Sequence, residues 1–334
     1  MSTLQARTRT RTALALATLS LAGCGGGGSD AGTTPAIDTT QRTQAATTTA
    51  ANNSNCVAVK PFYWEIGDKA GLMASGSVNA TGSVLSYTAS TVVNIASASK
   101  WLYSAYVVER RGAAGLSASD IKFLNFRSGY TSFTSCSPAQ TVGSCVAAST
   151  NGVYTAISDG KFLYDGGHMQ VHASLMGLDA LDNTTLATEI ESQLGSDVDI
   201  AYSQPQLAGG VRTNADNYAR YLRKLLGGQL RMGAALGSNP VCTNPLTCNG
   251  SALGTPIPTS ESWQYSVGHW VESDPAVGDG AFSSAGAFGF YPWVDSGKRF
   301  YGIVARQDLQ AGSGLDSAFC GRLIRKAWLT GVAQ

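Results

Sequence analysis

Asn94-Ile95-Ala96-Ser97-Ala98-Ser99-Lys100-Trp101-Leu102 is the stretch on which the reading of this chain turns. It contains a Ser-x-x-Lys tetrad, Ser97 to Lys100, at the start of a helical pattern. Three residues make nearly one helical turn, so an amine at Lys100 lies beside a hydroxyl at Ser97. The dipole and free N–H groups at that end of a helix favour negative charge nearby. A hydroxyl is a poor nucleophile until a neighbour takes its proton, and a lysine in a dry pocket sheds its charge and becomes that base. Taken alone, the tetrad is more often an N-capping serine followed by a solvated lysine, so its assignment depends on the flanking chain.

Before it, residues 57–66 read as a strand, 67–71 as a turn and 72–78 as the returning strand of a hairpin. A short segment at 84–93 leads into the tetrad. After it, 100–111 is rich in apolar and aromatic residues and ends at Gly112, which predicts a buried helix. Residues 117–126 and 168–178 read as short helices, and 181–194 and 214–226 have helical spacing. The segment 205–211 is a glycine-containing turn, and 242–258 is a turn-rich loop. The C-terminal part changes character: 263–272, 282–294 and 299–307 carry the aromatic and β-branched content of strands, and 316–329 is a closing helix. Strands at both ends flank a helical middle. The expected fold class is α/β (α+β), with an antiparallel sheet from both chain ends flanked by helices and an inserted helical lobe at about 112–260.

The 334 residues are 43% hydrophobic and 13% charged, with a formal net charge of +1. That is enough for a full core, and nothing in it points to nucleic acid as a partner. The 39 glycines fit a loop-rich hydrolase better than a helical bundle. Arg7, Arg9 and Arg11 precede a short apolar run at 13–21, followed by Leu21-Ala22-Gly23-Cys24. This is the pattern of a secretory signal peptide, and its end resembles the lipobox of bacterial lipoproteins. The resemblance implies cleavage after residue 23, lipid on Cys24 and a membrane partner through that anchor; Gly25 implies the outer membrane. Residues 24–55 are expected to be a flexible tether, with the folded domain at 56–334.

Without Cys24, six cysteines remain. An even number in an exported chain implies disulfides, and six allow 15 pairings. Short loops favour Cys136–Cys145 and Cys242–Cys248, which leaves Cys56–Cys320. A metal site is the alternative; no pair has Cys-x-x-Cys spacing, so none is expected, and no cofactor is expected either.

Taken together, these stretches resemble the serine β-lactamase and penicillin-binding-protein superfamily, in its branch of class C β-lactamases, family VIII esterases and D,D-peptidases. The pieces come in the family's order: a hairpin, Ser97-x-x-Lys100, Arg127-Ser128-Gly129-Tyr130, Phe162-Leu163-Tyr164-Asp165-Gly166, Ala208-Gly209-Gly210-Val211, and Phe282-Ser283-Ser284-Ala285-Gly286-Ala287. The likeness spans about residues 56–329. It implies that Ser97 is the acylated nucleophile, that Lys100 holds or accepts its proton, and that Tyr164 is a general base with its phenolate favoured by Lys100. The backbone N–H groups of Ser97 and Ala287 are the implied oxyanion hole.

Two departures bear on substrate. Gly166 stands where the family has Asn after Tyr-x, and Ser284 replaces the cation of the Lys/His-Thr-Gly strand. Without that cation a substrate carboxylate is poorly held, unless Arg212 or Arg306 replaces it, and neutral esters or amides are expected. A D,D-peptidase, a β-lactamase or a non-catalytic cell-wall-binding lipoprotein are the alternatives. Candidate substrate contacts are Tyr130, Gly166, His168, Ser284 and Gly286. His168 and His172 share a helical face but lack a third metal ligand nearby. Trp263, Tyr265, Trp270, Tyr291 and Trp293 are candidates for an acyl pocket or, more often, for sheet core.

Overall fold

An antiparallel sheet joins the two ends of the folded chain. The structure is a computed structural model and describes residues Ile37–Gln334; the expected signal segment 1–23 and the lipid site Cys24 lie outside them. The sheet has eight strands in the spatial order Leu72–Val78, Phe62–Gly67, Tyr301–Ala305, Tyr291–Val294, Phe282–Ser283, His269–Val271, Gln264–Ser266 and Val241–Cys242. Its second and third strands pair the first part of the folded chain with the last: Trp64 lies opposite Val304, and Ile66 opposite Gly302. All six residues of Phe62–Gly67 are buried, as a strand covered on both faces requires.

One face of this sheet is covered by the closing helix Ser313–Thr330, which contacts the central strands. The helix Ser99–Arg111 is buried from Ser99 to Val108, because it is enclosed between the sheet and the helical lobe. Tyr218 and Tyr221, on helix Ala215–Leu226, donate to the carbonyls of Ala98 (3.0 Å) and Trp101 (3.2 Å). On the sheet side Trp101 stacks on His269 at 5.5 Å. The Gln264–Val271 hairpin turns at Gly268, whose φ is +77° and where a Cβ would run into Ser104; only glycine lets the hairpin press this close to the helix.

The lobe carries the helices expected of it: Ala118–Leu124, Gly167–Leu175, Asn183–Leu194 and Ala215–Leu226. Strand Tyr154–Asp159, paired with Ser128–Tyr130, was not foreseen. Its exposed Tyr154 and Ile157 obscure the alternation that marks a half-buried strand. Of segment 84–93 only Val93 enters a strand, Val93–Asn94, which pairs with Val211–Thr213. The expected strand at 57–66 begins only at Phe62; the residues before it form a helical turn, Ser54–Ala58, capped by the Asn53 side chain.

The tether expectation is corrected over its described part. Thr39–Asn52 is a helix, capped by Asp38 and packed on Ser313–Thr330. Its apolar content is low, but Ala46 and Ala50 are fully buried. Arg42 donates to the carbonyls of Trp328 (2.6 Å) and Leu329 (3.2 Å), which the end of a helix leaves unpaired. Small side chains allow close helix approach, so tertiary hydrogen bonds hold a segment that hydropathy alone assigns to a linker. The six cysteines pair as Cys56–Cys320, Cys136–Cys145 and Cys242–Cys248.

Candidate active site

Ser97 sits in a 3-10 turn, Ala96–Ala98, immediately before helix Ser99–Arg111. Its hydroxyl caps neither element. Instead it accepts from Lys100 Nζ at 2.9 Å. The turn is held in an unfavourable backbone conformation: Ala96 has φ +43°, a left-handed geometry that a non-glycine residue adopts only when its surroundings impose it. Ser99 imposes it from below. Its hydroxyl donates to Ala96 O at 2.6 Å and accepts from Val211 N at 3.2 Å. Ile95 N donates to Val211 O at 3.0 Å.

Lys100 is 5% exposed. Besides Ser97 it donates to the Ala208 carbonyl at 2.7 Å. Burial pushes its pKa down to about 7, against the opposing pull of the nearby Asp165 carboxylate. Tyr164 faces both groups. Lys100 Nζ lies 4.8 Å from the centre of its ring, and Tyr164 lines the cleft together with Ser97 and Trp270. Burial raises the phenol to about 12, with the polar groups of Ser97 and Trp270 opposing. The two shifts run in opposite directions for amine and phenol. Near neutral pH the phenol keeps its proton, and Lys100 is the side chain able to be free of its own.

The turn after strand Phe282–Ser283 brings in the fourth component. Gly289 N donates to Gly286 O at 2.9 Å and closes this turn around Ala287. Among the described residues neither Ser97 N nor Ala287 N has an acceptor, and both residues border the cleft. Two unpaired amides beside a half-exposed hydroxyl are the donor set that an oxyanion needs.

The cleft has two arms that meet at Ser97, Ala287 and Phe288. One, of about 330 Å³, is lined by Tyr164, Pro256, Ile257, Trp270, Ala285 and the Leu309–Leu315 region, with no charged side chain. The other, of about 440 Å³, is lined by Asn94, Lys100, Gly166, Ser203, Gln204, Gln206 and the Ala208–Gly209 backbone; Lys100 is its one charged side chain.

Among the five expected substrate contacts, the structure places Gly166 on the cleft. Ser284 is 2% exposed and donates to Ser97 O at 3.1 Å, so it supports the Ser97 turn from behind. Gly286 presses its backbone on Ile95, where a Cβ would run into the carbonyl oxygen. Tyr130 stacks on Phe123 at 5.8 Å, on the strand ribbon of the lobe. His168 is fully buried: Nδ1 accepts from Ser128 Oγ at 2.6 Å, and Nε2 donates to Leu163 O at 3.0 Å. Burial lowers its pKa to about 4, so it is a neutral structural link. Of the five aromatics, Trp270 lines the cleft, while Trp263, Tyr265, Tyr291 and Trp293 are 0–1% exposed core residues. Arg306 is bound by Ser317 and Asp308, and Arg212 is exposed on strand Val211–Thr213; neither lines an arm. The sequence reading missed Asp165, whose carboxylate accepts from Gly167 N (2.8 Å) and Phe133 N (3.2 Å) and is raised in pKa by burial. The signal was present: a carboxylate next to the phenol in Tyr164-Asp165-Gly166.

No family model matches this chain, and no curated protein matches it. Solved structures do. The octameric penicillin-binding protein homologue from Pyrococcus abyssi aligns with a TM-score of 0.60 at 12% identity, over 84% of this chain and 76% of that one. A D-stereospecific amidohydrolase from Streptomyces sp. aligns at 0.55 and 12%, over 89% and 100%. A β-lactamase from Mycobacterium bovis aligns at 0.55 and 14%, over 80% and 95%. The chain therefore has the fold of the serine β-lactamase and penicillin-binding-protein superfamily.

Proposed function

We propose that this protein is a serine hydrolase that acylates Ser97 and releases the acyl group to water, acting on an ester or amide with a neutral acyl part. The observation that carries this reading is the 2.9 Å contact between Ser97 Oγ and a buried Lys100 amine, beside two unpaired amides. Lys100 takes the Ser97 proton as the hydroxyl oxygen attacks the carbonyl carbon. The N–H groups of Ser97 and Ala287 receive the charge that forms on the carbonyl oxygen. Tyr164 gives its proton to the leaving group and regains one from Lys100. Water then repeats the sequence on the acyl-enzyme, with Lys100 again the base. The neutral acyl preference follows from the lining: neither arm offers a cation besides Lys100, which the chemistry itself occupies. Fold neighbours that include an amidohydrolase and a β-lactamase support acyl transfer as the reaction class. The same proposal holds the chain to be an exported lipoprotein anchored through Cys24.

The test is labelling of the full chain with a fluorophosphonate probe, native against Ser97→Ala. Labelling that vanishes in the variant supports the reading. A native protein that no probe marks, and that turns over no nitrophenyl ester, overturns it in favour of a binding role for the same cleft.

A further inference from the structure

The two arms of the cleft differ in chemistry, and the proton groups divide between them. We infer that the apolar arm receives the leaving group, so that the substrate is an ester or amide of an apolar alcohol or amine whose acyl part carries a hydrogen-bond acceptor. This rests on the serine-hydrolase reading.

Lys100 lines the polar arm and Tyr164 the apolar arm. The base must reach the Ser97 proton, and Lys100 Nζ does so at 2.9 Å. The acid must reach the departing atom, so the departing atom lies on the side of Tyr164. The step balances as follows. The Ser97 Oγ–carbon bond forms as the bond from carbon to the leaving oxygen or nitrogen breaks. The Ser97 proton passes to Lys100, the Tyr164 proton to the leaving atom, and the Lys100 proton back to the phenolate. An alkoxide is far more basic than the phenolate left behind, so that transfer runs downhill.

The walls agree with this direction. Ile257, Trp270, Phe288 and Leu315 form an apolar channel next to Tyr164. Leu309 stands at its rim 74% exposed, a position that an alkyl chain would cover. On the other side Gln204 donates its side-chain amide to Gln206 Oε1 at 2.5 Å. Among the described residues the Gln206 side-chain amide itself has no acceptor. That N–H pair, at the wall of the polar arm, fits a carbonyl or hydroxyl oxygen in the acyl part.

The experiment compares two matched ester series on the full chain in detergent: methyl, butyl and hexyl acetate, which lengthen the alcohol, and methyl acetate, butanoate and hexanoate, which lengthen the acyl part. The expected result is a kcat/KM that rises about fourfold per methylene on the alcohol side and stays within about twofold on the acyl side. In Leu309→Asp the hexyl-to-methyl acetate ratio falls at least about tenfold; Leu309 is exposed, so the fold tolerates the change, which a melting curve checks. A gain confined to the acyl series reverses the orientation and overturns the inference. So does a flat alcohol series, or a ratio that Leu309→Asp leaves unchanged. These outcomes presuppose Ser97-dependent labelling; its absence sinks the hydrolase reading instead, which separates the two failures.

Discussion

The helical lobe contains a second constellation that looks, on paper, as reactive as the one at Ser97. His172 Nε2 lies 3.0 Å from Asp120 Oδ1, and its Nδ1 lies 2.8 Å from the Tyr103 hydroxyl. Acid, imidazole and hydroxyl stand in a row, as they do in a catalytic relay. Yet Asp120, His172 and Tyr103 are at most 2% exposed, and none of them lines the cleft. Burial pushes the Asp120 carboxyl up, but the Arg111 guanidinium and Ser117 hold it well below the usual carboxylate range. Burial lowers His172, with Asp120 opposing. Every polar end of this row has a partner. At Ser97 the hydroxyl is half-exposed, two backbone amides are left over, and the Lys100 amine holds its proton weakly. Buried polar groups that are fully paired stabilise a fold; a paired base beside unpaired donors and open volume can do chemistry.

That contrast can be broken by substitution. The largest expected effect is at the open cluster. Lys100→Met lowers kcat/KM by about a thousandfold or more, and Tyr164→Phe by about a hundredfold to a thousandfold; initial rates with a nitrophenyl ester check both. Lys100→Met also stabilises the protein. The amine titrates at about 7 when folded against 10.5 in the unfolded chain, so its burial costs stability in full below pH 7, and the cost shrinks as pH rises from 7 towards 10.5. The gain in Tm is therefore larger at pH 6 than at pH 9, and a gain independent of pH contradicts the assignment.

The next largest effect falls on the frame that both clusters share. Replacing Cys56 and Cys320 by Ser removes a closure of 264 residues and lowers stability by about 5 kcal/mol in the chain-entropy picture, measured by urea unfolding. At the closed cluster, Asp120→Ala removes the bonds to His172, Arg111 and the Ser117 cap. It costs about 3 kcal/mol while kcat/KM stays within about threefold; a hundredfold loss of activity would make the buried row a participant. The smallest effect is the shape of the pH profile. As Lys100 loses its proton, kcat/KM climbs roughly tenfold per pH unit below about 7 and then levels, with no second limb until the Tyr164 phenol titrates near 12. A limb that rises only near pH 12, and that survives in Lys100→Met, would return the base role to the phenol.

Local chemistry was enough to read much of this molecule. The helix at Ser99–Arg111 follows from its apolar content and the glycine at its end. The hairpin at Phe62–Val78 follows from its turn, and the fold class from the order of strands and helices. The tetrad places Lys100 one turn from Ser97, because that spacing is a property of the helix itself. Spacing along the chain thus carried the local elements, their order and, through the cysteine count, the Cys56–Cys320 pairing. Tertiary structure decided the rest. Ser284 and Gly286 carry no mark that they pack on the Ser97 turn rather than face the cleft, because the direction of a side chain after a short strand is set by what packs behind it. The helix Thr39–Asn52 is too polar to announce itself and is held by carbonyls 286 and 287 residues away. The opposite pKa shifts of Lys100 and Tyr164 arise from desolvation, a property of the surrounding volume, which no spacing along the chain encodes.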